Sequence, residues 1–98
     1  MRQSEQTTDT TSFPATDDPQ GRIPALRARI DAIDAELIRL WIERAATSRE
    51  VGSARLAFGG TRITLAREME ILRRFRDALG ADGAQFALLL LRAGRGPL

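Results

Sequence analysis

Arginine is the residue through which this chain could do chemistry. All fifteen of its basic residues are Arg, and the sequence holds no Lys, His or Cys. That composition removes thiol nucleophiles, His-based proton relays, Schiff-base lysines, disulfides and the usual zinc sites. What is left is the binding and stabilisation of anions. A guanidinium stays charged and presents a planar fork of N–H donors that matches a carboxylate or phosphate two-to-two.

Two of these arginines stand where a core residue belongs. Ile30, Ile33, Leu37 and Leu40 recur at three- and four-residue steps, and the same stripe runs on through Arg44, Thr47, Val51 and Arg55. Arg44 and Arg55 are eleven residues apart, so on a helix they lie about 20° from one another. An inward guanidinium needs partners, because an unpaired buried charge is strongly destabilising. Structural partners are on offer: Glu43, Glu50 or Glu68, or water reached by snorkelling of the stem. A second cluster, Arg62 and Arg67, brackets the start of another helix, where free N–H groups and the positive dipole end favour anions. Thr64 and Glu68, four residues apart, share a face beside Arg67.

The elements that must position these groups are all helical. Residues 1–20 are polar, rich in Thr, Ser, Asp and Gln, and carry a net charge of −3. Such a stretch cannot bury enough surface to offset its ordering entropy and reads as a disordered tail. Residues 21–98 carry +5 and form the domain. Periodicity and punctuation predict helices over about 24–58, 64–79 and 82–93. Pro24 opens the first, Gly59-Gly60 ends it, Thr64 caps the second, Gly80 closes it, and Asp82 with Gln85 starts the third. Gly94 is read as the end of the third helix, leaving 94–98 as a flexible tail. No apolar run is long enough to span a bilayer and no signal peptide is visible, so the chain is expected in the cytoplasm.

The first helix would be about 51 Å long at 1.5 Å per residue. A compact monomer of the ordered length would have a radius of gyration of only about 12 Å. Two short helices cannot cover so long an apolar stripe, and an intertwined all-α homodimer with the long helices packed together is the expected architecture. Arg27 fits that arrangement. It precedes Arg44 by seventeen residues, about 25 Å along the axis and about 100° around it. In an antiparallel pair it could reach the other chain's Arg44 and Arg55.

The order Leu26-Arg27, Ile30, Asp34, Arg44, Gly52-Ser53-Ala54-Arg55 and Arg67-Glu68 resembles the all-α chorismate mutase family over residues 22 to about 76. Gly59-Gly60-Thr61-Arg62 and the ending LLLLRAGRGPL resemble its short actinobacterial subclass. The resemblance implies the pericyclic rearrangement of chorismate to prephenate for Phe and Tyr biosynthesis, without metal or cofactor. It implies that Arg27 of the second chain and Arg44 clamp the two carboxylates, and that Arg55 donates to the ether oxygen as the C–O bond breaks. Glu68 would bind the ring hydroxyl and Arg67 would support the site. Thr64 stands where relatives have Asp or an apolar residue, and longer relatives close the site with a Ser and a Gln that have no counterparts here. The subclass further implies weak activity alone and activation by 3-deoxy-D-arabino-heptulosonate-7-phosphate synthase.

Three other readings share parts of this pattern. A 4-amino-4-deoxychorismate mutase or an isochorismate-pyruvate lyase would use the same Arg clamps. An RNA-binding helical dimer would use the Arg73, Arg74, Arg76 cluster, but the chain lacks Lys and has few aromatics for base stacking. Neither nucleic acid nor membrane is therefore the expected partner.

Overall fold

The structure, a computed structural model, describes residues 19–96. These form three helices, α1 (Pro19–Ala57), α2 (Leu65–Leu79) and α3 (Ala81–Arg95), and no strand lies among the described residues. The all-α class is as the periodicity indicates. The expected N-terminal tail lies outside the described residues except for Pro19 and Gln20, which are helical. α1 starts at Pro19, where a missing N–H is no loss because the first turn has no acceptor for it. Pro24 falls inside the helix instead and has no N–H to give to the preceding turn.

The chain divides into two compact units, one through Leu37 and one from Ile38. In the first, the described part is the N-terminal half of α1. Its apolar residues stay open: Ile30 is 54% exposed, Ile33 42% and Leu37 54%. The sequence stripe is present there, and no core forms on it among the described residues.

The second unit holds the rest of α1 with α2 and α3. α2 follows Thr64, which has the extended backbone of an N-cap but makes no side-chain cap bond. It ends at Gly80, whose φ of 78° suits only a residue without Cβ and whose N–H donates to the Arg76 carbonyl. The same glycine is the N-cap of α3. The expected start at Asp82 is therefore corrected: Gly80 already ends α2 with its backbone turned, so α3 begins at once and Asp82 lies in its first turn. Gly83 makes the tight hairpin possible, because a Cβ there would run into the Phe75 carbonyl.

Ile71, Ala87 and Leu91 form the core between α2 and α3, with Leu72 and Phe75 packed against them. Phe86 meets Phe75 edge-on with ring centroids 5.7 Å apart, and Trp41 of α1 at 6.5 Å. The C-terminal end of α3 is also tied to α1. Gly94, buried, lies so close to Ser48 that a Cβ on it would come 2.5 Å from the Ser48 Oγ. Arg49 donates to the Ala93 carbonyl at 3.1 Å. This packing carries the helix through Gly94 to Arg95 and corrects the flexible tail expected from 94 onward. Pro97 and Leu98 lie outside the described residues.

Candidate active site

A cleft of about 470 Å³ opens within the second unit, between the end of α1, the connection to α2, the start of α2 and the end of α3. Leu40, Val51, Ile63, Ile71 and Leu91 give it apolar walls, and five guanidiniums line it with two carboxylates. Six of the seven residues singled out from the sequence reach it: Arg44, Arg55, Arg62, Thr64, Arg67 and Glu68. The seventh, Arg27, belongs to the first unit, where its side chain is exposed.

Arg44 is half-buried on α1 and donates to the Leu90 carbonyl at 3.4 Å. No carboxylate pairs with it among the described residues, so none of Glu43, Glu50 and Glu68 takes the structural role the sequence offers them. Burial first, and then the nearby charges of Arg67 and Arg74, push its pKa below the ordinary arginine value. An arginine remains protonated through such a shift. This charge is partly desolvated and has Arg67 and Arg74 near it, so an anion would be stabilising beside it.

Arg55 closes the last turn of α1. Its carbonyl accepts from Phe58 and Gly60, and its Nε donates to the Thr61 carbonyl at 2.8 Å. Gly59, with φ of 83°, allows that reversal. Arg55 thus engages backbone oxygen and, like Arg44, has no carboxylate partner among the described residues. Arg62 lays its stem over Gly52, where a Cβ would lie 2.8 Å from the Arg62 Cγ. Gly52 is required by that close approach.

On α2, Arg67 pairs with Glu70 at 2.6 Å on the exposed side, and the bond and charge of Arg67 hold the Glu70 carboxyl below its usual range. Glu68 turns the other way. It is partly buried and takes both arms of Arg95: Nε to Oε2 at 3.2 Å and an Nη to Oε1 at 2.7 Å. Arg95 is the site residue that the sequence reading missed. The signal was there: Ala87, Leu91 and Arg95 recur every four residues, so Arg95 continues the buried stripe of α3 once Gly94 is allowed to be helical.

Chemically, the cleft suits a small molecule carrying more than one negative charge. No described helix is long and apolar enough to cross a membrane, and no cluster of His, Cys, Asp or Glu among the described residues could hold a metal ion.

The chain matches the chorismate mutase type II family over residues 26–89. It is 46% identical over 86 residues to the intracellular chorismate mutase of Mycolicibacterium smegmatis, covering 88% of this chain and 83% of that protein. To the intracellular chorismate mutase of Mycobacterium tuberculosis it is 48% identical over 80 residues, covering 82% and 75%. Among solved structures it resembles a chain from the non-covalent complex of DAHP synthase and chorismate mutase of Corynebacterium glutamicum with bound transition state analog. The TM-score is 0.75 at 35% identity, over 81% of this chain and 95% of that one.

Proposed function

We propose that this chain, which belongs to the chorismate mutase type II family, is an isomerase that rearranges chorismate to prephenate. The observation that carries the reading is the pair Arg44 and Arg55, two cleft guanidiniums bonded only to carbonyl oxygens. A dicarboxylate entering the cleft meets charge that the protein has left unneutralised.

The reaction breaks one C–O bond and forms one C–C bond within a single molecule, so no group is passed to the protein. The protein's part is to hold the substrate folded and to stabilise the charge that grows on the ether oxygen. Arg44 takes one carboxylate in a bidentate grip, and Arg27 of a second copy takes the other. Arg55 exchanges its bond to the Thr61 carbonyl for one to the ether oxygen, where its donor strengthens as the bond lengthens. Glu68 accepts from the ring hydroxyl, Arg67 adds positive potential at the start of α2, and Arg62 and Thr64 shape the near wall.

Two chains are needed for this site, and the open Ile30, Ile33 and Leu37 stripe is the surface through which a homodimer forms. The enzyme works in the cytoplasm, and a DAHP synthase is its partner. The Corynebacterium complex supports that partnership. Adding the synthase to the mutase is expected to raise the rate of prephenate formation, and an unchanged rate would contradict the partnership.

Arg55→Ala tests the assignment itself. Loss of one such donor costs about 3–4 kcal/mol, so turnover should fall at least about a hundredfold. Prephenate formation within threefold of wild type would overturn the role of Arg55.

A further inference from the structure

Glu68 is the acceptor of the site, and its carboxylate is held by a residue that the reaction scheme above does not use. Arg95 sits in the last turn of α3 and forks both of its arms onto Glu68. Both side chains are withdrawn from solvent, Glu68 to 17% exposure and Arg95 to 31%. The arm that carries Arg95 is fixed at three points: Gly94 against Ser48, Arg49 on the Ala93 carbonyl and Arg44 on the Leu90 carbonyl. Immediately beyond Arg95 the backbone turns at Gly96, with φ of 68°, and a Cβ there would strike the Arg49 stem at 2.9 Å. Arg44 of the cleft and Arg49, next to the cleft residue Ser48, thus anchor the turn that presents Arg95.

We propose that Arg95 is a positioning residue for Glu68: it orients the carboxylate toward the substrate's hydroxyl and balances its charge when a dicarboxylate enters. The inference rests on the chorismate mutase reading and deepens it. Two physical arguments carry it. A carboxylate has about four lone-pair sites, and a forked guanidinium uses two, so each Glu68 oxygen keeps one for a hydroxyl donor. A lone carboxylate beside an incoming dianion, by contrast, would repel it and would be free to rotate away. Arg95 removes both penalties without touching the substrate.

A double-mutant cycle over Arg95→Ala and Glu68→Gln reads this directly, with kcat and KM for chorismate and Kd for prephenate measured on all four proteins. The product titration keeps the cycle readable even where Glu68→Gln turns over slowly. In the wild-type background Arg95→Ala should lower kcat/KM about tenfold, with both a fall in kcat and a rise in KM, and should weaken prephenate binding. In the Glu68→Gln background the same change should cost less than about twofold in either measure. Arg95→Lys should recover part of the loss, because it restores the charge but not the fork.

Additive losses in the cycle would overturn the proposal, since Arg95 would then act on the substrate or on stability rather than through Glu68. An Arg95→Ala enzyme as active as wild type, or more active, would also overturn it and make the pair a latch on Glu68. The wild type and Arg55→Ala run alongside keep the two claims apart. If the wild type forms no prephenate, the chorismate mutase reading fails. If it does, and Arg55→Ala is impaired as expected, an additive cycle removes the Arg95 proposal alone.

Discussion

The two halves of the chain use the same sequence device to different ends. In both, α1 carries an apolar stripe at helical spacing. From Ile38 onward α1 also has a packed side, where Trp41 meets Phe86, Ala45 is buried and Ser48 receives Gly94, while Leu40 and Val51 of the stripe stay exposed at the cleft. Through Leu37 the same stripe remains exposed. Exposed aliphatic surface of that kind is stabilised when it is removed from water, which is the ground for the homodimer proposed above. The candidate site residues divide between the same two units. Six of the seven meet at one cleft in the second unit, and Arg27 alone stands in the first.

The largest expected effect comes from breaking the uncovered half. Ile33→Asp combined with Leu37→Asp changes two exposed positions and so should leave the single chain helical. Buried in a dimer, the same carboxylates would be desolvated without partners. Light scattering should report two chains for the wild type and one for the variant. Prephenate formation should fall more than about a hundredfold as the second chain's Arg27 is withdrawn. A variant that stays dimeric and active would show that the stripe is covered by something else.

A smaller effect is expected from the packed half. Gly94→Ala places a methyl group against Ser48, and overpacking of this kind costs about 1–3 kcal/mol. The urea midpoint should drop accordingly, and activity should fall with it because Arg95 is carried on the same turn. Combining it with Ser48→Gly makes room and should restore much of the midpoint. If Gly94→Ala alone is as stable as wild type, the end of α3 is not docked on α1 as described.

Much of this arrangement was legible in the residues. Three helices and their breaks at Gly59-Gly60 and Gly80 follow from periodicity and punctuation, which are local properties. Arg44 and Arg55 stood out because a guanidinium on a core stripe asks for an explanation, and both do line the cleft. The end of α3 was not legible. Gly94 reads as a stop on propensity alone, yet the bare backbone is what lets α3 approach Ser48, and tertiary contact overrides the local preference. Arg95 was lost with it. The true cap of α3 was hidden for a related reason: Asp82 and Gln85 look like a capping pair, but Gly80 serves both helices and leaves no room for a separate start. The homodimer is inferred from the length of the stripe, and on the single chain Ile30, Ile33 and Leu37 are exposed and so open to a second copy.

Mixing two inactive proteins tests the central claim most directly. Arg27→Ala and Arg55→Ala chains, each purified, are combined in equal amounts, allowed to exchange subunits, and assayed for prephenate. If each site draws Arg27 from one chain and Arg55 from the other, every mixed dimer regains one intact site. With random pairing, activity should then return to about a quarter of the wild-type value. Exchanged subunits with no recovery above the separate variants would contradict a site shared between chains.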